Sequence, residues 1–357
     1  MKKCVSMKLV MFSLAMALSL TLASAAIAQP GEFVNGVLQP LADGFPKRPI
    51  MLIAVDDPGT RDDIYAKTLQ EAMRPMSPVP ITVSDEPGPT STGTMATIKS
   101  TMNREGGMDG YYPIVTTVWG GTMVTLTNPM KKMLGVDLSD MNHVIVTESM
   151  PYSCASRKNA PWGPTWADFV KYAKANPGKV RKMCDGIGTG SDIGGDYALS
   201  HFGITVKKVP QPSAADCLAA VGSGMGDIAF QSSPSIKPHY EAGRVDVLLV
   251  LGLTVPPPWD KNPNVVSMVQ AGMPKTPIGS VLGFCVPKDV PKTHIDWLFK
   301  LFKAGASTDL YKKRENSVVG LQITIMTPEE ANALRDQYAA FAEPIVRSLG
   351  LHWEQTK

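Results

Sequence analysis

Cysteine and histidine are scarce in this sequence, and neither is grouped. The 357 residues contain five cysteines and five histidines. The cysteines form no CxxC pair, and their spacings match no zinc-binding pattern. No HExxH, GxSxG or GxxxxGK[ST] motif occurs either. The sequence therefore predicts no metal, no cofactor and no nucleophile–base set, and it argues against an enzyme.

An excess of charge of one sign is missing once the N-terminal segment is set aside. The chain has 35 basic and 32 acidic residues, and three of the lysines lie within the first 28 positions. The remainder therefore carries 32 residues of each sign. Nucleic-acid binding and polybasic membrane contact both need a basic surface, which this balance does not supply. We exclude nucleic acid as a partner.

Long apolar runs are absent except at the N-terminus, where they have the pattern of an export signal. Three lysines precede an apolar stretch over residues 9–22, and Ala26-Ile27-Ala28 is a small-x-small cleavage site. We expect residues 1–28 to be removed after Ala28, and the alternative is an uncleaved membrane anchor. No later run is long enough to cross a bilayer.

Four cysteines remain after such a cleavage, and export would allow them to oxidise. They are Cys154, Cys184, Cys217 and Cys285. Buried free thiols are the simplest interpretation. The competing hypothesis is one disulfide between Cys154 and Cys285, because both lie in strand-like segments.

Strand and helix patterns alternate from about residue 49 to residue 251, and the last seventy residues are mainly helical. Strands are predicted at 49–55, 81–84, 112–118, 143–147, 152–155, 180–184, 205–209, 227–230 and 245–251. Helix patterns separate most of them, which is typical of buried parallel strands with crossover helices. We predict two α/β lobes and a helical tail that packs back on the first lobe.

Three loops rich in small residues follow predicted strands and precede predicted helices. They are Pro58–Asp62, Gly188–Ser191 and Pro212–Ala214. Ligands of open α/β sheets bind at the carboxyl ends of strands, where helix N-termini offer free N–H groups that suit carboxylates. Ordinary turn chemistry is the alternative for each loop taken alone.

At these loops the sequence resembles a known family. The segments that carry the resemblance include FPKRPIMLIAVDDPGTRDD at 45–63, TWADFVKYAKANPGKVRKMCDGIGTGS at 165–191 and VGSGMGDIAF at 221–230. Their order and spacing are similar to those of the substrate-binding proteins of tripartite tricarboxylate transporters, the TctC or Bug family. The resemblance extends over nearly the whole chain beyond the signal.

The resemblance implies an α/β, type II periplasmic binding protein fold, with two lobes joined by a hinge around a central ligand cleft. Lobe 1 would comprise residues 41–148 plus 276–357, and lobe 2 residues 149–275, with hinge segments near Glu148 and Lys275. Such a protein is a periplasmic monomer that binds a small organic acid or amino acid and delivers it to integral membrane permease subunits. A ligand sensor for a membrane receptor is the alternative.

Matching the family motifs residue by residue gives the expected ligand contacts. They are Gly59, Thr60, Arg61, Asp62, Gly88, Thr90, Gly190, Ser191, Ser213, Ala214 and Asp227. Asp227 could instead be a helix cap or a hinge partner. The first loop departs from the family pattern, because Asp56-Asp57 precede it and Arg61 replaces a glycine. Those acids would repel a dianion, so a ligand with a cationic group is a second expectation.

Overall fold

The computed structural model describes residues 29–55, 58–86, 93–128, 130–318 and 320–355. The expected signal segment, residues 1–28, lies outside these ranges. The strands within them are β1 (Phe33–Val34), β2 (Val37–Leu38), β3 (Ile50–Ala54), β4 (Ile81–Asp85), β5 (Ile114–Thr117), β6 (Met141–Arg157), β7 (Arg181–Cys184), β8 (Lys207–Pro210), β9 (Ile228–Ser232), β10 (Val245–Val250), β11 (Val266–Ser267), β12 (Gly279–Pro287) and β13 (Gln322–Met326). The α-helices are α1 (Arg61–Met73), α2 (Gly93–Met102), α3 (Val118–Thr127), α4 (Met130–Leu134), α5 (Trp166–Ala175), α6 (Gly190–His201), α7 (Ala214–Gly222), α8 (Ser233–Glu241), α9 (Lys292–Ala306), α10 (Asp309–Ser317) and α11 (Pro328–Ser348).

Two half-sheets share one long strand, β6. The first half-sheet has the order β4-β3-β5-β12-β6-β13, and the second has the order β11-β10-β6-β9-β7-β8. Residues 141–151 of β6 pair with β12, whereas residues 152–156 pair with β9. Strands β3, β4 and β5 run parallel, as do β7, β8 and β9. The predicted two-lobed α/β fold is confirmed.

Helices cover both faces of each half-sheet, because the central strands are apolar on both sides. In the first half-sheet, α1 and α9 pack on one face around Tyr65, Phe284 and Phe302, and α2 packs on the other face. In the second, α7 and α8 cover one face, while α5 and α6 cover the other. Apolar burial of this kind is the main stabilising term in a fold of this size.

A buried polar network anchors β6 to α10 inside the first half-sheet. Glu148 is only 2% exposed, and its carboxylate accepts hydrogen bonds from Arg314 Nε at 2.5 Å and Arg314 Nη2 at 3.1 Å. The Tyr311 hydroxyl donates to the same carboxylate at 2.8 Å and also contacts Thr147 Oγ1. A buried carboxylate needs such partners, since desolvation of a lone charge is costly.

Each predicted strand is present, most with ends shifted by one or two residues, but β13 in the helical tail was not predicted and two other differences are larger. The strands expected at 143–147 and 152–155 are one continuous strand, because Pro151 lies in β6 without interrupting it. The strand expected at 112–118 ends at Thr117, where α3 begins. Two helices begin at a threonine cap: Thr165 Oγ1 accepts from the Asp168 N–H, and Thr327 forms a capping box with Glu330.

The disulfide hypothesis is wrong. The four described cysteines are free and buried. Cys285 on β12 lies opposite His143 of β6, whereas Cys154 lies eleven residues further along the same strand. At about 3.3 Å per residue, this separation is roughly 36 Å. A disulfide needs a Cα separation below about 7 Å.

The expectation for the helical tail holds only in part. Helices α9 and α10 pack on α1 of the first half-sheet, as predicted. Helix α11 instead contacts both α3 and α6, so that it bridges the two halves. Its buried residues Leu334, Tyr338 and Val346 belong to the same apolar cluster as Trp119 and Phe230.

Replacing Arg314 with methionine should destabilise the protein. Glu148 would be left buried without a cation, and removing one member of a buried pair costs about 3–5 kcal/mol. Urea unfolding of Arg314→Met measures the loss. Adding Glu148→Gln should restore part of it. The control is Lys158→Met, which breaks the exposed Lys158–Asp246 pair and should change stability by less than about 1 kcal/mol. Equal stability of Arg314→Met and the wild type would contradict the network's role.

Candidate functional site

The first and second predicted loops have the same local design. Each contains a glycine with positive φ, then a threonine that caps a helix, then two residues and an aspartate: Gly59-Thr60-Arg61-Asp62-Asp63 and Gly188-Thr189-Gly190-Ser191-Asp192. The φ angles of the two glycines are 84° and 86°. Only glycine adopts this region at little cost. The sequence therefore contained a repeated GTxxD signal that the predictions did not use.

In both loops the aspartate holds the glycine against the first turn of the helix. Asp63 Oδ2 accepts from the Gly59 N–H at 2.7 Å, and Asp192 Oδ2 accepts from the Gly188 N–H at 3.0 Å. The glycine N–H is thereby satisfied. The following N–H groups, at the first positions of α1 and α6, have no hydrogen-bond acceptor among the described residues. Four unsatisfied donors are usual at a helix start, and they favour an anion.

Lysines neutralise the two supporting aspartates. Lys67 Nζ lies 2.5 Å from Asp63 Oδ1. Burial raises the pKa of the Asp63 carboxyl, but the contacts with Lys67 and with the Gly59 N–H outweigh burial, so that the pKa is lowered. Lys182 is fully buried and lies 2.7 Å from Asp192 Oδ1, while Lys208 contacts Asp192 Oδ2 at 2.8 Å. Both carboxylates therefore remain ionised as acceptors for the glycine N–H groups.

The hydroxyls of the two capping threonines differ. Thr189 Oγ1 accepts from the Asp192 N–H and donates to Asp185 Oδ1 at 3.0 Å. Thr60 Oγ1 is buried and has no hydrogen-bond partner among the described residues. A buried hydroxyl without a partner costs free energy, so it marks a position where a ligand oxygen would be stabilising.

The two loops approach one another at the strand shared by the half-sheets. The Arg61 guanidinium donates to Ser280 Oγ on β12, and Ser280 lies opposite Met150 of β6. Tyr152 is two residues further on, so its side chain leaves β6 on the same face. A Cβ built on Gly190 would lie 3.1 Å from the Tyr152 hydroxyl. Arg61 and Gly190 therefore approach Tyr152 from opposite halves of the molecule.

Tyr152 lies between charges of opposite sign. The pKa of the Tyr152 hydroxyl is raised to about 12, mainly because the residue is buried. The charge of Arg61 acts to lower this pKa, and the charge of Asp185 acts to raise it. In the second half of the molecule, Ser191 Oγ donates to Asp185 Oδ1 at 2.6 Å. The hydroxyl proton of Ser191 is therefore already engaged, which leaves its hydroxyl lone pairs as acceptors and its backbone N–H as a donor.

Trp119 at the start of α3 connects the two halves. Its indole N–H donates to the Gly190 carbonyl at 2.9 Å. The ring stacks on Phe341 and contacts Tyr338 edge-on, both from α11. The sequence predictions missed four residues of this region. Three of them lie in a helix or in strands without a recognisable motif: Trp119, Tyr152 and Ser280. The fourth, Asp185, directly precedes the second loop but was not singled out.

The remaining predicted residues fall into three groups. Gly88 and Thr90 lie outside the described residues. Asp62 is buried and accepts from Arg61 Nη2 at 2.9 Å, so it orients that guanidinium. Ser213 caps α7 by accepting from the Asp216 N–H, and it donates to the Asp216 carboxylate. With Ala214, it lies at the same sheet edge as Gly190, but at β8, the third strand from β6.

Asp227 lies apart from the other predicted ligand-contact residues. It precedes β9 and accepts hydrogen bonds from Arg157 Nε and from the backbone and side chain of Arg181. Arg181 begins β7, whereas the Gly188–Ser191 loop follows the end of that strand. Asp227 therefore lies at the opposite ends of the parallel strands from this loop. Its two arginine partners lower the pKa of the Asp227 carboxyl against the effect of burial. The structure assigns it a structural ion pair instead of the ligand contact, cap or hinge role expected from the sequence.

The described residues include no group of three or more histidine, cysteine, aspartate or glutamate side chains that could hold a metal ion. Among them, too, no helix combines the length and apolar character needed to cross a membrane. The arrangement of the site, with open helix N-termini, hydroxyls and one arginine, suits binding of an anionic group.

Comparison with known sequences finds relatives that all belong to, or resemble, one family. A family described as the tripartite tricarboxylate transporter family receptor, TctC, matches residues 65–351. A UPF0065 protein of Bordetella pertussis is 25% identical over 253 residues, which cover 70% of this chain and 74% of that protein. Protein BugT of the same organism is 22% identical over 245 residues, covering 67% and 71%.

Solved structures show the same fold. A TctC solute-binding protein from Polaromonas, crystallised without ligand, has a TM-score of 0.73 at 18% identity and covers 85% of this chain and 99% of its own. MatC from Rhodopseudomonas palustris, solved with bound malate, has a TM-score of 0.60 at 19% identity and covers 85% and 100%. These relatives are solute-binding proteins and not enzymes.

Replacing Gly190 with alanine should weaken ligand binding. The added Cβ would lie 2.9 Å from Trp119 Nε1 and 3.1 Å from the Tyr152 hydroxyl, so at least one ring must move. We expect at least about a tenfold loss of affinity, or 1.4 kcal/mol, by titration calorimetry. Gly222→Ala in α7 is the control, since it adds the same methyl group to a helix away from the cleft. Equal affinity in both variants would show that the cleft tolerates the methyl group.

Proposed function

The chain belongs to the TctC family, the receptors of tripartite tricarboxylate transporters, and we propose that it captures a small carboxylate-bearing solute and delivers it to such a transporter. The observation that carries the proposal is the pair of GTxxD loops, whose open helix N-termini lie near Tyr152 from the two halves of the molecule. Each terminus offers N–H donors and a partial positive charge to an anion. Members of the family act as periplasmic solute-binding proteins.

Relatives of known structure support the class of solute. The R. palustris protein MatC was solved with malate, and another R. palustris protein, Rpa4515, with adipate. Both ligands carry carboxylates. In this chain the carboxylate would lie between the start of α1, with Thr60 and Arg61, and the start of α6, with Gly190 and Ser191.

Closure of the cleft would be a hinge motion of the two lobes, 41–148 plus 276–357 and 149–275. The change of β6 partners between residues 151 and 152 supports this division, because strands from the two halves meet there. Export with cleavage after Ala28 belongs to the same proposal. Delivery would require permease subunits in the membrane, which take the solute from the closed form.

The first experiment is mass spectrometry of the solute released from freshly purified protein. A small carboxylic acid at near-stoichiometric amount is the expected result. Calorimetric titration of the ligand-free protein with that acid then gives the reference affinity. A co-purified ligand without a carboxylate, or no binding across a panel of carboxylates, would contradict the proposal.

Replacing Thr60 with valine should lower affinity for that acid. The buried Thr60 hydroxyl has no described partner, so its expected role is a hydrogen bond to the charged ligand. Loss of such a bond costs about 1.5–3 kcal/mol, or roughly tenfold to hundredfold in Kd. Thr324→Val on β13 is the matched control and should bind as the wild type does. Unchanged affinity in Thr60→Val would remove this residue from the site.

A further inference from the structure

Four aromatic side chains form a wedge between the two halves of the molecule, beside the second GTxxD loop (residues 188–192). Trp119 in the first turn of α3 and Tyr338 in α11 are both fully buried. The Trp119 ring stacks on Phe341 with centroids 5.5 Å apart and meets Tyr338 edge-on at 5.1 Å. Phe341 in turn lies 4.6 Å from the ring of Tyr197 in α6. This aromatic wedge joins α3 of the first half to α6 of the second through α11.

Two hydrogen bonds anchor the aromatic wedge to the backbone. The Trp119 indole N–H donates to the carbonyl of Gly190, the first residue of α6, at 2.9 Å. A carbonyl oxygen has two lone pairs, so it can accept this bond as well as the helix bond from four residues later. The Tyr338 hydroxyl donates to the carbonyl of Pro277, in the segment that leads from β11 of the second half to β12 of the first. The wedge is therefore fixed to the start of α6 and to a crossing between the halves.

The second GTxxD loop packs closely against the elements that carry the aromatic wedge. A Cβ on Gly190 would lie 2.9 Å from Trp119 Nε1. A Cβ on Gly188 would lie 3.4 Å from Leu351 Cδ1, just beyond α11, and 3.9 Å from Thr127 Cγ2, at the end of α3. The position of the α6 N-terminus is therefore set by α3, α11 and the residues that follow α11.

We propose that the aromatic wedge fixes the spacing between the N-termini of α1 and α6, and that Trp119 is a positioning residue for solute binding. Trp119 is fully buried, so it acts through Gly190 and not by contact with the solute. Groups that are held at the correct spacing before a ligand arrives do not have to be ordered when it binds, which raises affinity. The inference rests on the proposed function, because solute affinity is one of its two readouts.

The variant Trp119→Phe tests the effect on affinity, because it removes the indole N–H and keeps a ring. The probe is whichever of malate, adipate and succinate binds the wild type most tightly by titration calorimetry. We expect the affinity of Trp119→Phe for that acid to fall at least about tenfold. Most of this change should appear in the dissociation rate constant, measured by stopped-flow mixing, since affinity differences between variants of one site are mainly differences in dissociation.

The matched control is Trp166→Phe in α5. Trp166 is buried in the same apolar cluster as Trp119, so the two variants should lose similar stability. Its indole N–H has no hydrogen-bond partner among the described residues, and its ring contacts Phe169 and Phe202. The control leaves the aromatic wedge intact and should bind the acid within about twofold of the wild type.

Hydrogen exchange of the Trp119 indole proton tests the aromatic wedge without any added acid. A buried proton bonded to Gly190 should exchange only when the wedge opens, and therefore slowly. Tyr197→Leu removes the ring at the α6 end of the wedge and should speed this exchange at least about tenfold. Tyr197→Phe keeps that ring and should leave the exchange rate unchanged. The Trp166 indole proton is the internal reference in each spectrum.

The outcomes separate the aromatic wedge from the solute-binding function. Unchanged affinity in Trp119→Phe, or equal losses in Trp119→Phe and Trp166→Phe, would overturn the inference while solute binding stands. Fast exchange of the Trp119 indole proton in the wild type would overturn it as well. If none of the three acids binds the wild type, the proposed function loses its support, and slow exchange that Tyr197→Leu accelerates still supports the wedge.

Discussion

A single strand that serves two sheets constrains the whole molecule. β6 is seventeen residues long, and it changes partners from β12 to β9 without a break. The buried Glu148–Arg314 pair fixes the strand to α10 just before that change. Because an extended strand with both edges paired has little freedom to shift, the loops that flank it are held at defined positions. The two GTxxD loops therefore lie near the point where the two sets of strand partners meet.

The two GTxxD loops hold their helix N-termini in the same way. Each aspartate fixes a glycine with positive φ, and lysines keep the aspartate charged. This arrangement satisfies the glycine N–H and fixes the turn that precedes the helix. The free donors that remain point from the start of the helix. The buried lysine Lys182 thus supports a binding loop without belonging to it.

Element identities and helix caps were predictable because their causes are local. The caps at Thr165 and Thr327 follow from the residue three positions later, and glycines indicate the positions of the loops.

Two assignments failed for non-local reasons. The Cys154–Cys285 pairing assumed that two strand-like segments lie side by side at the cysteines, whereas the register places them far apart. Asp227 matched a family motif, yet its strand enters the sheet at the edge away from the cleft.

The amino-acid sequence contained the α/β class, the strand-to-helix loops and the residues that could bind a carboxylate, since all of these depend on neighbours within a few positions. The meeting of Arg61 with Ser280, and of Gly190 with Trp119 and Tyr152, required the folded chain. Strand order and register arise from hydrogen bonds and apolar contacts between segments that are distant in the sequence, as where Gly279 of β12 pairs with Pro151 of β6. No pattern within one segment encodes which edge of the sheet its partner will occupy.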